Sequence, residues 1–138
     1  MTGRVVAVCA SDRKGCSKKN VHRGFLKKDY GLEGDAHAGP WHRQVSLLGL
    51  ESIEKMRRKG LDLEPGAFGE NLTTEGLDLP RLPVGTHLLV GEDVLLEVTQ
   101  IGKECHDRCA IYYSAGDCVM PREGIFARVL KGGMVREG

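Results

Sequence analysis

Residues 87–101, HLLVGEDVLLEVTQI, read as two apolar arms, His87 to Val90 and Val94 to Ile101, on either side of a polar Gly91-Glu92-Asp93 break. Aliphatic and β-branched residues alternate with polar ones, and the glycine tolerates the positive φ that a tight reversal needs. The stretch predicts an antiparallel β-hairpin.

Working outward, the same texture recurs. Arg4 to Ala10 is apolar and β-branched enough for a strand buried on both faces, and Arg43 to Leu48 alternates in strand fashion. The run IFARVLKGG, residues 125–133, predicts a last strand. With 19 glycines in 138 residues, many tight turns joining short strands are expected. One segment breaks the pattern: Leu50, Ile53, Met56 and Leu61 recur at helical spacing opposite Glu51, Glu54, Lys55, Arg57 and Arg58, with Gly60 as a stop. A short amphipathic helix over about residues 50–59 follows. The fold class is therefore mostly β, a compact antiparallel β-barrel with a few short helices, since a closed sheet leaves no free edge to template aggregation. A length of 138 residues suits one domain spanning residues 1–138.

Lys and Arg number 20 against 19 for Asp and Glu, so the chain lacks the basic surplus that a nucleic-acid binder uses to neutralise phosphates. Its apolar runs are far shorter than the roughly 20 residues of a membrane helix. Met1-Thr2-Gly3-Arg4 leads directly into a strand-like segment without an apolar signal core, which predicts a cytoplasmic location. Five cysteines are an odd number, and a reducing compartment favours thiols or metal ligands over disulfides.

Three of the five, Cys105, Cys109 and Cys118, fall within fourteen positions. In ECHDRC, residues 104–109, the thiol of Cys105 has Lys103, His106 and Arg108 as sequence neighbours, and cations lower a thiol's pKa toward the reactive thiolate. Cys105 also follows the second arm of the hairpin, where an element end leaves a side chain both fixed and accessible. A free cysteine is equally at home as a small buried hydrophobe, and the residues leave both roles open. Cys105 and Cys109 at C-x3-C spacing, with Cys118 and His106, offer four tetrahedral zinc ligands, although only one short cysteine spacing is present. Cys9 reads as core packing within the first strand. Two glycine-rich segments add polar candidates. In GLEGDAHAGPWHRQ, residues 31–44, Asp35, His37 and Arg43 alternate with glycines that let backbone amides approach an anion. In PGAFGENL, residues 65–72, Phe68, Gly69, Glu70 and Asn71 form a turn able to line a pocket. Each also reads as an ordinary turn.

Taken together and in order, GLEGDAHAG with RQVSLL, PGAFGENLTTEGLDL, VTQIGKEC and GIFARVLKGG make the chain resemble a MOSC domain, the module named for the C-terminal region of molybdenum-cofactor sulfurases. The resemblance runs from about residue 4 to residue 133, and the stretch from Gly102 to Leu130 is similar to small stand-alone prokaryotic members. It implies a pyruvate-kinase-type β-barrel that binds the molybdenum cofactor or carries sulfur. The cysteine that would hold a persulfide or ligate molybdenum maps to Cys105, with His106 and Cys109 beside it at the catalytic position. Asp35, His37, Arg43, Phe68, Gly69, Glu70, Asn71 and Lys103 would form the cofactor-binding surface. Implied partners are molybdoenzymes or cofactor-biosynthesis proteins and a cysteine desulfurase as sulfur donor, since the chain carries no pyridoxal-phosphate domain of its own. Many members have a Pro-Arg-x-Pro run before the cysteine. Here Ile101-Gly102-Lys103-Glu104 stands instead, which implies a different pocket wall. Two alternatives of other classes remain: a non-catalytic carrier or chaperone of the cofactor, and a zinc-stabilised β interaction module.

Overall fold

A computed structural model describes residues 2–12, 17–58, 60, 63–102 and 123–138. The hairpin is present as β7 (His87–Val90) paired antiparallel with β8 (Val94–Ile101). Period-two geometry turns Val94, Leu96 and Val98 into the core, while Leu89 on the facing strand stays 71% exposed. The other strands are β1 (Arg4–Ala10), β2 (Lys19–Asn20), β3 (Arg23–Lys27), β4 (Gly31–Leu32), β5 (Val45–Gly49), β6 (Leu72–Glu75), β9 (Ile125–Lys131) and β10 (Gly133–Arg136).

They form a seven-stranded sheet in the order β2-β1-β6-β5-β9-β8-β7 and a three-stranded sheet in the order β10-β3-β4. The first curls around a core of Val8, Val45, Leu47, Leu72, Leu96 and Ile125, and the second closes that core with Leu26, Leu32 and Val135. The mostly-β expectation is met, with two departures. The wall is two sheets rather than one continuous ladder, joined by backbone bonds such as Gly138 N–H to Val5 O at 2.8 Å and Asp29 N–H to Val129 O at 2.9 Å. Its second departure is that β5 and β6 run parallel. A parallel pair needs a long crossover, and residues 50–71 supply it.

Within that crossover lies α1 (Leu50–Arg57), two residues shorter than expected, followed by Gly60 at φ +90°. Ile53 and Met56 pack with Leu48, Phe68 and Phe126 into a second apolar cluster on the outer side of the sheet. One more strand, β10, lies beyond the run expected to be last. Its Val135 is buried opposite Gly24 of β3, so a four-residue strand with one inward side chain carried too little periodicity to be read in advance.

Because Leu96 is fully buried and Leu89 is not, Leu96→Ala is expected to lower unfolding free energy by ~3 kcal/mol and Leu89→Ala by less than ~0.5 kcal/mol, as read from urea denaturation.

Candidate functional site

Two polar groupings are assembled from the glycine-rich segments, one inside the fold and one at its rim. The inner one centres on Lys18 and Asp35. The ammonium of Lys18 donates to Asp35 Oδ1 at 2.7 Å, and both side chains are 0% exposed. Ser11 N–H donates to the same oxygen at 3.1 Å, and His37 N–H donates to Asp35 Oδ2 at 3.2 Å, closing the Asp-Ala-His turn. Burial alone would push the Asp35 carboxyl up, but the hydrogen bond and charge of Lys18, with Ser11 and Asn71, outweigh it and hold the carboxyl below its ordinary value. Lys18 Nζ lies 3.1 Å from His37 Nδ1.

Asn71, also fully buried, ties this pair to the sheets. Its Nδ2 donates to Cys9 O of β1 at 3.1 Å, and its Oδ1 accepts from Ser46 N–H of β5 at 3.0 Å. Two strands thus share one amide. Glu70 faces inward as well: its Oε2 accepts from Gly66 N–H at 2.9 Å and from Thr73 Oγ1 at 2.7 Å, while Oε1 has no partner among the described residues. Burial raises its pKa, against the lowering effect of those donors. Gly66 holds φ +92°, and a Cβ there would meet Lys18 O at 2.2 Å, so this turn takes only glycine without displacing the chain that carries Lys18. Cys9 is sealed beside it. Burial, then the charge of Glu70, pushes its thiol up to about 12, which leaves it inert as a sulfur acceptor.

The rim grouping is built by a β-bulge. Opposite β9, Val98 pairs with Ala127 and Gln100 with Phe126, leaving Thr99 as the extra residue. Thr99 Oγ1 then donates to His42 O, and Gln100 Oε1 accepts from Arg43 Nε at 3.1 Å and meets His42 Nε2 at 2.9 Å. The Arg43 guanidinium stands 5.9 Å from the Trp41 ring centroid and 5.3 Å from that of Phe126, held between two aromatic faces. Gln100 Nε2 donates to Gly102 O at 2.8 Å, and Gly102 N–H donates to Gly124 O at 2.7 Å. At the far end, Glu123 Oε1 accepts from Ser52 Oγ at 3.0 Å and Lys55 Nζ at 2.8 Å. A groove of about 590 Å³ opens beside Trp41, His42 and Thr99.

Of the sequence-predicted residues, Asp35, His37 and Asn71 come together in the inner grouping, with Glu70 and Gly69 on the adjoining turn. Phe68 is buried against α1 in the outer cluster, and Arg43 stands at the rim. Lys103, Cys105, His106, Cys109 and Cys118 lie outside the described residues. No set of three His, Cys, Asp or Glu side chains able to hold a metal ion occurs among the described residues. Sequence reasoning missed Lys18, Trp41 and Gln100. Lys18 and Lys19 are adjacent members of one basic loop, and nothing in their order marks the first as buried and the second as exposed.

Asp35→Asn leaves the Lys18 ammonium buried without a counter-charge and is expected to cost about 3–5 kcal/mol at pH 7 by urea denaturation. Since the folded pKa of Asp35 is depressed, its contribution is present above the unfolded value of about 3.9 and is lost as pH falls below it; Asp35→Asn flattens that acid limb. Glu70 has the opposite sign. Its raised folded pKa means stability falls as pH climbs above about 4.3, so Glu70→Gln is expected to gain relative to the wild type between pH 4 and pH 7, measured in the same way.

Comparison with known proteins agrees with the geometry. The MOSC domain model matches residues 33–138. The YuaD protein from Bacillus subtilis superposes with a TM-score of 0.81 at 20% identity, covering 100% of this chain and 93% of its own. YiiM from Geobacillus stearothermophilus follows at 0.74 and 21%, covering 99% and 72%, and YiiM from Escherichia coli at 0.70 and 23%, covering 99% and 66%. No curated protein matches in sequence. No helix among the described residues is long and apolar enough to cross a membrane. The chain belongs to the MOSC domain family, a family of domains related to the molybdenum cofactor.

Proposed function

We propose that this MOSC domain binds the molybdenum cofactor, or receives sulfur for it, at the end of β8, with Cys105 as the soft thiolate and Arg43 as the anion-holding group. The observation that carries this reading is the fixation of Arg43: two aromatic faces and Gln100 orient the guanidinium, and the same Gln100 grips Gly102, three residues before Cys105. The donor set suits such a ligand. A guanidinium forks onto phosphate oxygens, an exposed Trp41 offers a flat apolar face to a pterin ring, and thiolate is the ligand that molybdenum and its sulfurs favour. When bound, the cofactor would supply redox chemistry at molybdenum. This chain supplies the thiolate, the cation and the walls, with Lys103 as a second cation beside the cysteine.

Asp35, Asn71 and Glu70 have their side chains turned into the fold, so they act by holding the backbone on which the rim residues stand. In sulfur transfer, the Cys105 thiolate attacks the outer sulfur of a cysteine desulfurase persulfide. A new S–S bond forms on Cys105, the donor's S–S bond breaks, and its cysteine leaves as thiolate, with no net oxidant consumed. Molybdoenzymes or cofactor-biosynthesis proteins are the acceptors this reading implies.

The test is intact-mass spectrometry after incubation with a cysteine desulfurase and cysteine. A gain of ~32 Da, one sulfur, localised to Cys105 and absent in Cys105→Ser, is expected. Cofactor binding without any adduct would favour carriage over sulfur transfer. Arg43→Ala is expected to weaken binding of the phosphate-bearing cofactor by about 10- to 100-fold, with the fold intact by circular dichroism.

A further inference from the structure

We propose that the outer face of the small β10-β3-β4 sheet is a binding surface for single-stranded nucleic acid, on which Arg23, Arg136 and Lys27 meet phosphates and Phe25 receives an unstacked base. Strand alternation decides what stands on this face. Leu26 and Val135 are buried, and a Cβ at Gly24 would meet Leu32 and Val8, so the even-numbered positions of β3 turn inward. Arg23, Phe25 and Lys27 therefore project outward, as do Met134 and Arg136 on β10. The ladder sets Met134 directly opposite Phe25 and Arg136 directly opposite Arg23. Like charges facing each other across a ladder, with Cβ atoms ~5 Å apart, destabilise a sheet. Neither guanidinium has a carboxylate partner among the described residues. Beside them, Phe25 and Met134 are 42% and 59% exposed.

At the other end of β3, Lys27 Nζ stands 5.5 Å from the centroid of the exposed Tyr30 ring. One strand thus carries cation, aromatic and cation in turn, and the next adds a guanidinium and a thioether. Among the described residues the one acid that alternation adds is Glu33, whose N–H donates to Phe25 O at 3.0 Å. The near-equal totals of cations and acids hold for the chain as a whole; on this face Arg23, Lys27 and Arg136 stand against Glu33 alone. Size and charge select the occupant. Arg23 to Lys27 spans ~13 Å and three strands about 10 Å, so the face offers on the order of 130 Å². That is far short of the ~800 Å² each partner gives to a stable protein interface. A second copy would also bring guanidinium onto guanidinium. A single strand needs only a narrow track, with phosphates for the cations and a base for the ring, and each stacked base is worth about 5- to 150-fold in affinity. A duplex keeps its bases within its own stack. The proposal is independent of the functional reading of the rim.

The experiment is fluorescence anisotropy of a labelled oligothymidylate of about 15 nucleotides, titrated with the full chain at a series of salt concentrations. Expected is a saturable rise whose log affinity falls with log salt at a slope of about −2, as three cations at ~0.7 each require. Arg136→Ala is expected to make that slope shallower by ~0.7, and Phe25→Ala to weaken binding about tenfold at unchanged slope. Glu33→Gln is expected to strengthen binding about twofold, a gain that misfolding could not produce. No rise at low salt, wild-type affinity in Phe25→Ala, or competition by inorganic polyphosphate as effective as that by unlabelled oligothymidylate of the same length would overturn the proposal. Sedimentation of the chain with phosphatidylserine vesicles in place of oligonucleotide binding would overturn it too, and would assign the face to a membrane surface.

Discussion

An ammonium and a carboxylate 2.7 Å apart, both withdrawn from solvent, set the terms for the centre of this fold. Bringing Lys18 and Asp35 out of water is costly, and the cost is tolerable only when every remaining donor and acceptor is matched. The matching groups come from distant parts of the chain: Ser11 after β1, the His37 turn, and Asn71 before β6. The pair holds these segments in mutual register because each loses a partner if it moves. Gly66 belongs to the same constraint, its missing side chain allowing the backbone of Lys18 to pass close by.

From that centre the rim inherits its geometry. The Asp35-His37 turn leads in four residues to Trp41, and Trp41, His42 and Arg43 precede β5, whose Ser46 is bonded to Asn71. On the other side, the Thr99 bulge breaks the alternation of β8 and aims Gln100 at Arg43 and His42. The rim is thus reached from both sides by rigid strand ends, and residues 103–122 are inserted at a point where Gly102 and Gly124 are hydrogen-bonded to one another. That bond holds together the two points at which the chain leaves and re-enters the described fold.

Much of the architecture was legible because burial imposes period two on a strand and period 3.6 on a helix. The hairpin, β1, β5, β9 and α1 could all be read from Leu, Val and Ile spacing in this way. The short elements β2, β4 and β10 could not, having at most four residues each. Among the candidate site residues, Arg43 was legible as a cation next to a glycine-rich turn. Glu70 and Asn71 stood out as polar residues on a turn, yet their burial depends on which side of β6 faces the core, a fact carried by strands far away in the chain.

By itself, the sequence determined the longer secondary elements, the mostly-β class and, through its ordered motifs, the family, because these depend on local patterning along the chain. Only the tertiary structure decided that Lys18 is buried and Lys19 is not, that β5 and β6 run parallel, and that Arg43 lies between Trp41 and Phe126. The physical reason is that burial, charge pairing and ring stacking are contacts between residues tens of positions apart. Their energies depend on distance and desolvation in space, for which order along the chain carries no signal.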